Sequence, residues 1–240
     1  MTSKSSSNKT LKKRKASKEE IDNFELTKYL VDFLWTEPFY SRILRSLNKI
    51  ESILIPTAGV SADDGNITLW WNREFMAGLP KKHITGLLKH ECLHLVFGHT
   101  TERRKEPHLI WNYATDLAIN STIPRHELPD GGLIPGEYLH LDKDQKENMS
   151  EKEIETFEKL SNLIGNLPKN KTSEYYFEKL ISDDDIKEML SDEGNDLKIS
   201  FDNHDGWDDI PDEQKELIKG KIKEIIKEAA QEANNRNWGS

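Results

Sequence analysis

The stretch His90-Glu91-Cys92-Leu93-His94 carries the most chemistry in this chain. Two His four residues apart on a helix lie on one face, about one turn apart. Neutral imidazoles at that spacing can share one Zn²⁺ ion, and the Glu beside the first His can take a proton from a water held there. The H-E-x-x-H pattern is that of a zinc hydrolase, with peptide bonds as its commonest target. It fixes only three positions, and a chain of 240 residues matches it by chance with a probability on the order of one per cent. The context is more specific. From Lys82 to His99 the chain carries Ile84, Leu87, Leu88, Leu93, Leu95, Val96 and Phe97 with no Pro, the pattern of a largely buried helix. Burying two His and a Glu is unfavourable unless something satisfies them. A metal would do so; hydrogen bonds to neighbours in an ordinary core helix are the competing explanation.

A catalytic zinc usually takes a third protein ligand. His99 lies nine residues after His90, roughly on the opposite side of a straight helix at ~100° per residue. It can reach the same ion only if the helix breaks at Gly98. Residue 100 is Thr, so no His follows His94 at the six-residue spacing of a three-His motif. Leu109 to Ile119 offers a better donor. Asp116 sits there among Ala114, Leu117, Ala118 and Ile119, an expensive place for a carboxylate without a cation. Asn112, Asp116 and Asn120 recur at i, i+4, i+8 and share a face. Across an antiparallel helix pair joined near Arg104 to Pro107, that face would meet His90 and His94. Asp116 is therefore the expected third ligand, with Asn112 and Asn120 expected just behind the ligands, hydrogen-bonding to them. An Asp bonded to those Asn side chains, or capping a helix, is the alternative. Cys92, the sole Cys, is about 200° round the helix from His90 and is expected to be a small buried hydrophobe.

These residues need elements to hold them. Leu26, Tyr29, Leu30, Phe33 and Leu34 form an amphipathic stripe in a helix expected from about Glu19, broken at Pro38 and followed by a second helix to about Ile50. Thr57 to Ser61 and Ile67 to Trp71 flank Asp63-Asp64-Gly65-Asn66, a hairpin signal. A small sheet just before the H-E-x-x-H helix offers an edge to an extended substrate. Trp70 and Trp71 are expected to serve packing. The Pro/Gly-rich loop from Pro124 to Gly136 would wall the cleft; His126 and His140 are expected at the surface, with a hydrogen bond from either to a substrate as the alternative. Acidic helices are expected at about 150–164 and 173–191, and His204 in a polar turn is a candidate for steadying an oxyanion. A last helix from Pro211 carries the stripe Ile218, Ile222, Ile225, Ile226 and Ala229, which must bury against this core or a partner.

His90 to Asn120 resembles a metallopeptidase-domain family of bacterial and bacteriophage proteins. Its signature is H-E-x-x-H followed by a His, a basic patch and a W-N-x-A-x-D-x-x-I-N segment. His90, Glu91, His94, His99, Arg103, Trp111, Asn112, Ala114, Asp116, Ile119 and Asn120 stand at matching places. Thr57-Ala58-Gly59-Val60, Leu128-Pro129 and Ser173-Glu174-Tyr175-Tyr176 extend the likeness more loosely over the middle two thirds of the chain. The resemblance implies a zincin-like fold and, as partners, a von Willebrand factor A-like domain or a MoxR-type AAA ATPase. The D-x-S-x-S motif of such an adhesion domain does not occur in these 240 residues, so the partners rest on the resemblance alone.

Composition sets the remaining bounds. Net charge is −9, but residues 1–20 carry +5 and the rest −14. A body that acidic repels nucleic-acid backbones. The basic tail, residues 1–18, is expected to be disordered and solvated, and nucleic-acid binding through it ranks last. No window reaches 18 apolar residues, and no apolar run follows the basic start, so neither a membrane span nor a signal peptide is expected. A single Cys fits a cytoplasmic setting. The reading is an α+β chain: the tail, then a mainly helical zincin-like domain over 19–240 with a small sheet before the metal helix. The expected function is that of a zinc-dependent peptidase acting on a peptide or protein substrate, with His90, His94 and Asp116 on Zn²⁺ and Glu91 as general base. Activity should fall in acid as the imidazoles protonate. The alternative is a metal-stabilised adaptor that binds partners through its basic tail, acidic body and C-terminal helix.

Overall fold

In a computed structural model, residues 15–63, 65–103, 105–141, 143–147, 149–191 and 212–237 are described. The capping box of Ser17 and Glu20 starts α1 (Lys18–Asp22). The stripe helix α2 (Leu26–Thr36) runs to the break before Pro38, which opens α3 (Pro38–Ser46) at its first turn. The strands follow: β1 (Asn48–Glu51), β2 (Ala58–Asp63) and β3 (Asn66–Trp71). After α4 (Arg73–Ala77) come α5 (Lys81–Val96), which carries the His pair, and α6 (His108–Asn120), which carries Asp116. A 3-10 turn (Arg125–Glu127), α7 (Lys143–Glu147), α8 (Glu151–Gly165), α9 (Ser173–Ile181), α10 (Asp184–Ser191) and α11 (Asp212–Asn237) complete the described chain.

The protein is mainly helical α+β, and the described residues form one three-stranded sheet in the order β1-β3-β2. The expected hairpin is present: β2 pairs antiparallel with β3, Val60 opposite Leu69 and Asp63 opposite Asn66. β1 pairs parallel to β3 in register Asn48 with Thr68. This corrects the expectation of a helix continuing to Ile50. Asn48-Lys49-Ile50-Glu51 has too little apolar periodicity to hold a helix, and a strand edge satisfies its backbone instead. The helix expected from Glu19 is two helices parted at Asn23–Glu25, and the one expected over 173–191 parts between Ile181 and Asp184. Residues 1–14 of the basic tail, the His204 turn and Pro211 lie outside the described residues.

Two large apolar clusters flank the site. The first joins α2, α3, the sheet, α5 and α11, with Phe33, Ile43, Leu44, Leu69, Met76, Ile84, Leu88 and Cys92 fully buried. The α11 stripe closes this core: Ile218, Ile222, Ile225 and Ala229 are buried in it, and Arg42 and Arg45 of α3 pair with Glu228 and Glu232. That stripe is therefore covered by the chain itself and is not an unpartnered face for an adaptor. The second cluster joins α6 with α8, α9 and α10 around Ile110, Trp111, Leu117, Leu160, Tyr176 and Leu180. A small third cluster, Leu93, Ile119, Ile123, Leu128 and Ile134, lies on the seam between α5 and α6.

Candidate metal centre

α5 places its apolar residues Ile84, Leu87, Leu88, Cys92 and Leu95 against the first core. His90 and His94 occupy another strip of the helix, both buried. α6 runs antiparallel across them: Asn120 reaches His90, Asp116 reaches both His rings, and Trp111 meets His99 edge-on at 6.1 Å. The Nε2 atoms of His90 and His94 are 2.9 Å apart, and each lies 3.4 Å from Asp116 Oδ1. Donor atoms of the three residues all fall within 4.8 Å of one another. Two ring nitrogens and a carboxylate oxygen, buried and convergent, form a donor set that fits a metal ion.

Asn112, Asp116 and Asn120 do share one face of α6, and Asn120 backs one of the donor side chains as expected, whereas Asn112 does not. Asn120 holds His90 rather than Asp116: its Oδ1 is 2.8 Å from His90 Nδ1, and its Nδ2 donates to Leu133 O at 2.9 Å. With Asn120 Oδ1 as acceptor, the His90 proton sits on Nδ1 and the Nε2 lone pair faces Asp116 and His94. Asn112 is buried with its Oδ1 unbonded among the described residues. Glu91 is wholly buried in α5. Cys92 lies in the first core as expected, and burial pushes its thiol well above the ordinary range.

His99 is brought close, beside the His90–His94–Asp116 cluster rather than within it. The helix does break before His99: past its last residue, Val96, the chain turns at Gly98 (φ +71°), where Gly98 N–H donates to Leu95 O at 3.1 Å and His99 N–H to His94 O at 3.0 Å. This paired closure is a Schellman motif, and it needs the left-handed conformation that Gly adopts freely. It folds His99 back over the last turn, with its Nδ1 3.2 Å from His94 Nδ1, the nitrogen facing away from Asp116. His99 is thus beside His94 and outside the donor triangle.

The loop after α6 walls the cleft. Leu128, Pro129, Gly132 and Leu133 face Leu87, His90, Asp116 and Asn120 around a cavity of about 30 Å³. That is room for two or three waters at ~10–15 Å³ each. Two contacts fix this wall to α5. Gly86 packs so tightly on the 3-10 turn that a Cβ there would lie 2.1 Å from Glu127 O. Lys89, nearly buried, bridges Glu127 at 2.8 Å and Glu37 at 2.5 Å. Burial pulls its ammonium down, but the hydrogen bonds to Glu127 and Glu37 outweigh that and leave it above its ordinary value. Sequence reading missed both contacts; a Gly inside an otherwise apolar helix was the available signal for the first. His126 and His140 are exposed and do not line the cavity. Trp70 donates to Ser61 Oγ, and Trp71 packs on Phe24.

A family model described as "Putative metallopeptidase domain" matches residues 25–232, a longer reach than the middle two thirds. An uncharacterized protein of Thermotoga maritima is 30% identical over 102 residues, which cover 41% of this chain and 26% of that one. The matched segment thus spans about a quarter of that relative's length. No solved structure matches. Among the described residues, no helix is long and apolar enough to cross a membrane.

Proposed function

From the premise that the chain belongs to that metallopeptidase-domain family, we propose that it is a zinc-dependent peptidase with His90, His94 and Asp116 as the metal ligands and Glu91 as general base. The convergence of the three donors in a buried seam is the observation that carries the reading. Zn²⁺, when bound, would supply Lewis-acid polarisation of the scissile carbonyl and lower the pKa of water toward ~7. The remaining steps belong to the chain. His90 and His94 each offer a neutral ring nitrogen, and Asp116 offsets part of the ion's charge. Asn120 keeps the His90 ring in the tautomer that leaves Nε2 available. Glu91 accepts the proton of the attacking water and returns it to the leaving amine. Leu87, Leu128 and Leu133 keep bulk water from the site.

The fold is α+β and mainly helical; a zincin-like relation, with residues 19–240 acting as one domain, is part of the same proposal. So are a peptide or protein substrate, a cytoplasmic setting, and a von Willebrand factor A-like or AAA ATPase partner, the last resting on the family resemblance. Because the cavity is small, a peptide must displace the Leu128–Leu133 wall to reach the triad.

The test is hydrolysis of an unfolded protein substrate by zinc-loaded wild type and Glu91→Gln. The variant should keep its zinc and lose activity by about 10²–10⁴-fold, the usual share of a general base. Full chelation should abolish wild-type activity. Hydrolysis that survives chelation contradicts the proposal.

A further inference from the structure

Behind His94 the chain builds a second layer that the metal reading does not use. His94 Nε2 faces the donor triangle, so a neutral His94 acting as ligand carries its proton on Nδ1. That nitrogen faces His99 Nδ1 at 3.2 Å. Two ring nitrogens can share one hydrogen bond only if one accepts. His99 therefore accepts at Nδ1 and carries its own proton on Nε2, which faces Ser173 Oγ at 3.1 Å. Ser173 is buried in the first turn of α9, 74 residues away in sequence.

Independent contacts hold each member of this chain in place. The Schellman closure at Gly98 fixes the His99 backbone. Trp111 stands edge-on to the His99 ring, and its Nε1 donates to Arg103 O at 2.8 Å. Arg103 donates to both carboxylate oxygens of Glu174, at 2.7 Å each, which ties the first turn of α9 to the segment just after His99.

We propose that His99 and Ser173 are positioning residues for the metal centre: the His94–His99–Ser173 hydrogen-bond chain fixes the tautomer and ring orientation of His94. This rests on the reading of His94 as a ligand. It gives the two His ligands separate supports, Asn120 on α6 for His90 and His99 with Ser173 on α9 for His94. Removing such a support typically weakens metal affinity by about 10–100-fold while leaving the ligands themselves in place.

The experiment is chelator-competition titration with Zn²⁺, paired with the visible spectrum of the Co²⁺-substituted protein. It compares wild type, His99→Phe, His99→Asn and Ser173→Ala, with the apo-protein melting temperature of each. His99→Phe fills the space without an acceptor and should raise the zinc Kd by about 10–100-fold. His99→Asn keeps an oxygen near the Nδ1 position and should recover most of the affinity. Ser173→Ala should give a smaller loss in the same direction and shift the cobalt bands. Should His99→Phe fail to fold, Ser173→Ala decides the matter, through its zinc Kd and cobalt bands. Wild-type zinc affinity and an unchanged cobalt spectrum in every folded variant would overturn the chain while leaving the metal site standing. No zinc on wild type would overturn both, which separates the two failures.

Discussion

α5 and α6 meet at the donor triangle but answer to different cores. α5 lies on the core of the sheet, α3 and α11, and brings two nitrogen donors that a four-residue spacing already puts on one face. α6 lies on the core of α8, α9 and α10 and brings Asp116, which reaches the His pair only when the two cores dock. Half of the site is local and half is a property of the tertiary structure. Metal affinity should therefore respond far more to damage in the second core than to equal damage in the first. The supports divide differently: His90 is held by Asn120 on α6, and His94 by His99, whose partner Ser173 begins α9. Both supports reach into the second core.

Matched core truncations would sharpen or break that comparison most strongly. Trp111 is fully buried in the second core, against Phe177 and His99. Trp111→Ala should lower unfolding free energy by about 3–5 kcal/mol. Leu69, fully buried in β3 of the first core, should lose about 2–5 kcal/mol on truncation to Ala. Denaturant titration reads both losses, and zinc competition under native conditions reads the asymmetry: a large weakening for Trp111→Ala, little for Leu69→Ala. Equal weakening would mean that the cores do not divide the site in this way.

A smaller effect is expected where the cleft wall meets α5. In Gly86→Ala the new methyl meets the backbone carbonyl of Glu127, so the 3-10 turn has to shift. The clash should cost about 1–3 kcal/mol, partly offset by the ~1 kcal/mol gain of Ala over Gly in a helix. A melting temperature raised by Gly86→Ala would show that this contact is loose. The smallest effect lies at the Arg103–Glu174 pair that ties α9 to the end of α5. Burial raises the Glu174 carboxyl, but its hydrogen bonds to Arg103 outweigh that and hold it below the ordinary value. A depressed carboxylate contributes stability above its unfolded pKa of about 4.3 and loses it as pH falls through the folded value. Both side chains are more than a third exposed, so screening keeps this well under ~1 kcal/mol. Glu174→Gln should melt slightly lower than wild type at pH 7, and the gap should close as pH falls through the depressed folded value. A gap that persists in acid would assign the loss to packing instead.

Sequence alone made the local half of the site readable. His90, Glu91 and His94 sit in an apolar periodic segment, and Asp116 is a carboxylate on a helix face that little else but Asn shares. The hairpin was readable from alternation around a Gly-Asn turn. β1 was not, because Asn48 to Glu51 becomes a strand by pairing with β3 rather than by its own pattern. Nor was the place of His99 readable. A straight-helix projection puts it opposite the His pair, whereas the positive φ of Gly98 folds it back behind His94. A Gly followed by His at a helix end was the available signal, since the residue after such a Gly returns to the last turn. Ser173 gave no local signal, because its partner is 74 residues away.

The most direct test of the central claim is bound metal per chain by mass spectrometry for wild type, His94→Ala and Asp116→Ala after zinc is supplied at neutral pH. The account predicts about one zinc on wild type and loss of it in both variants, the local ligand and the tertiary ligand alike. Wild type without metal, or Asp116→Ala holding zinc as tightly as wild type, would contradict it.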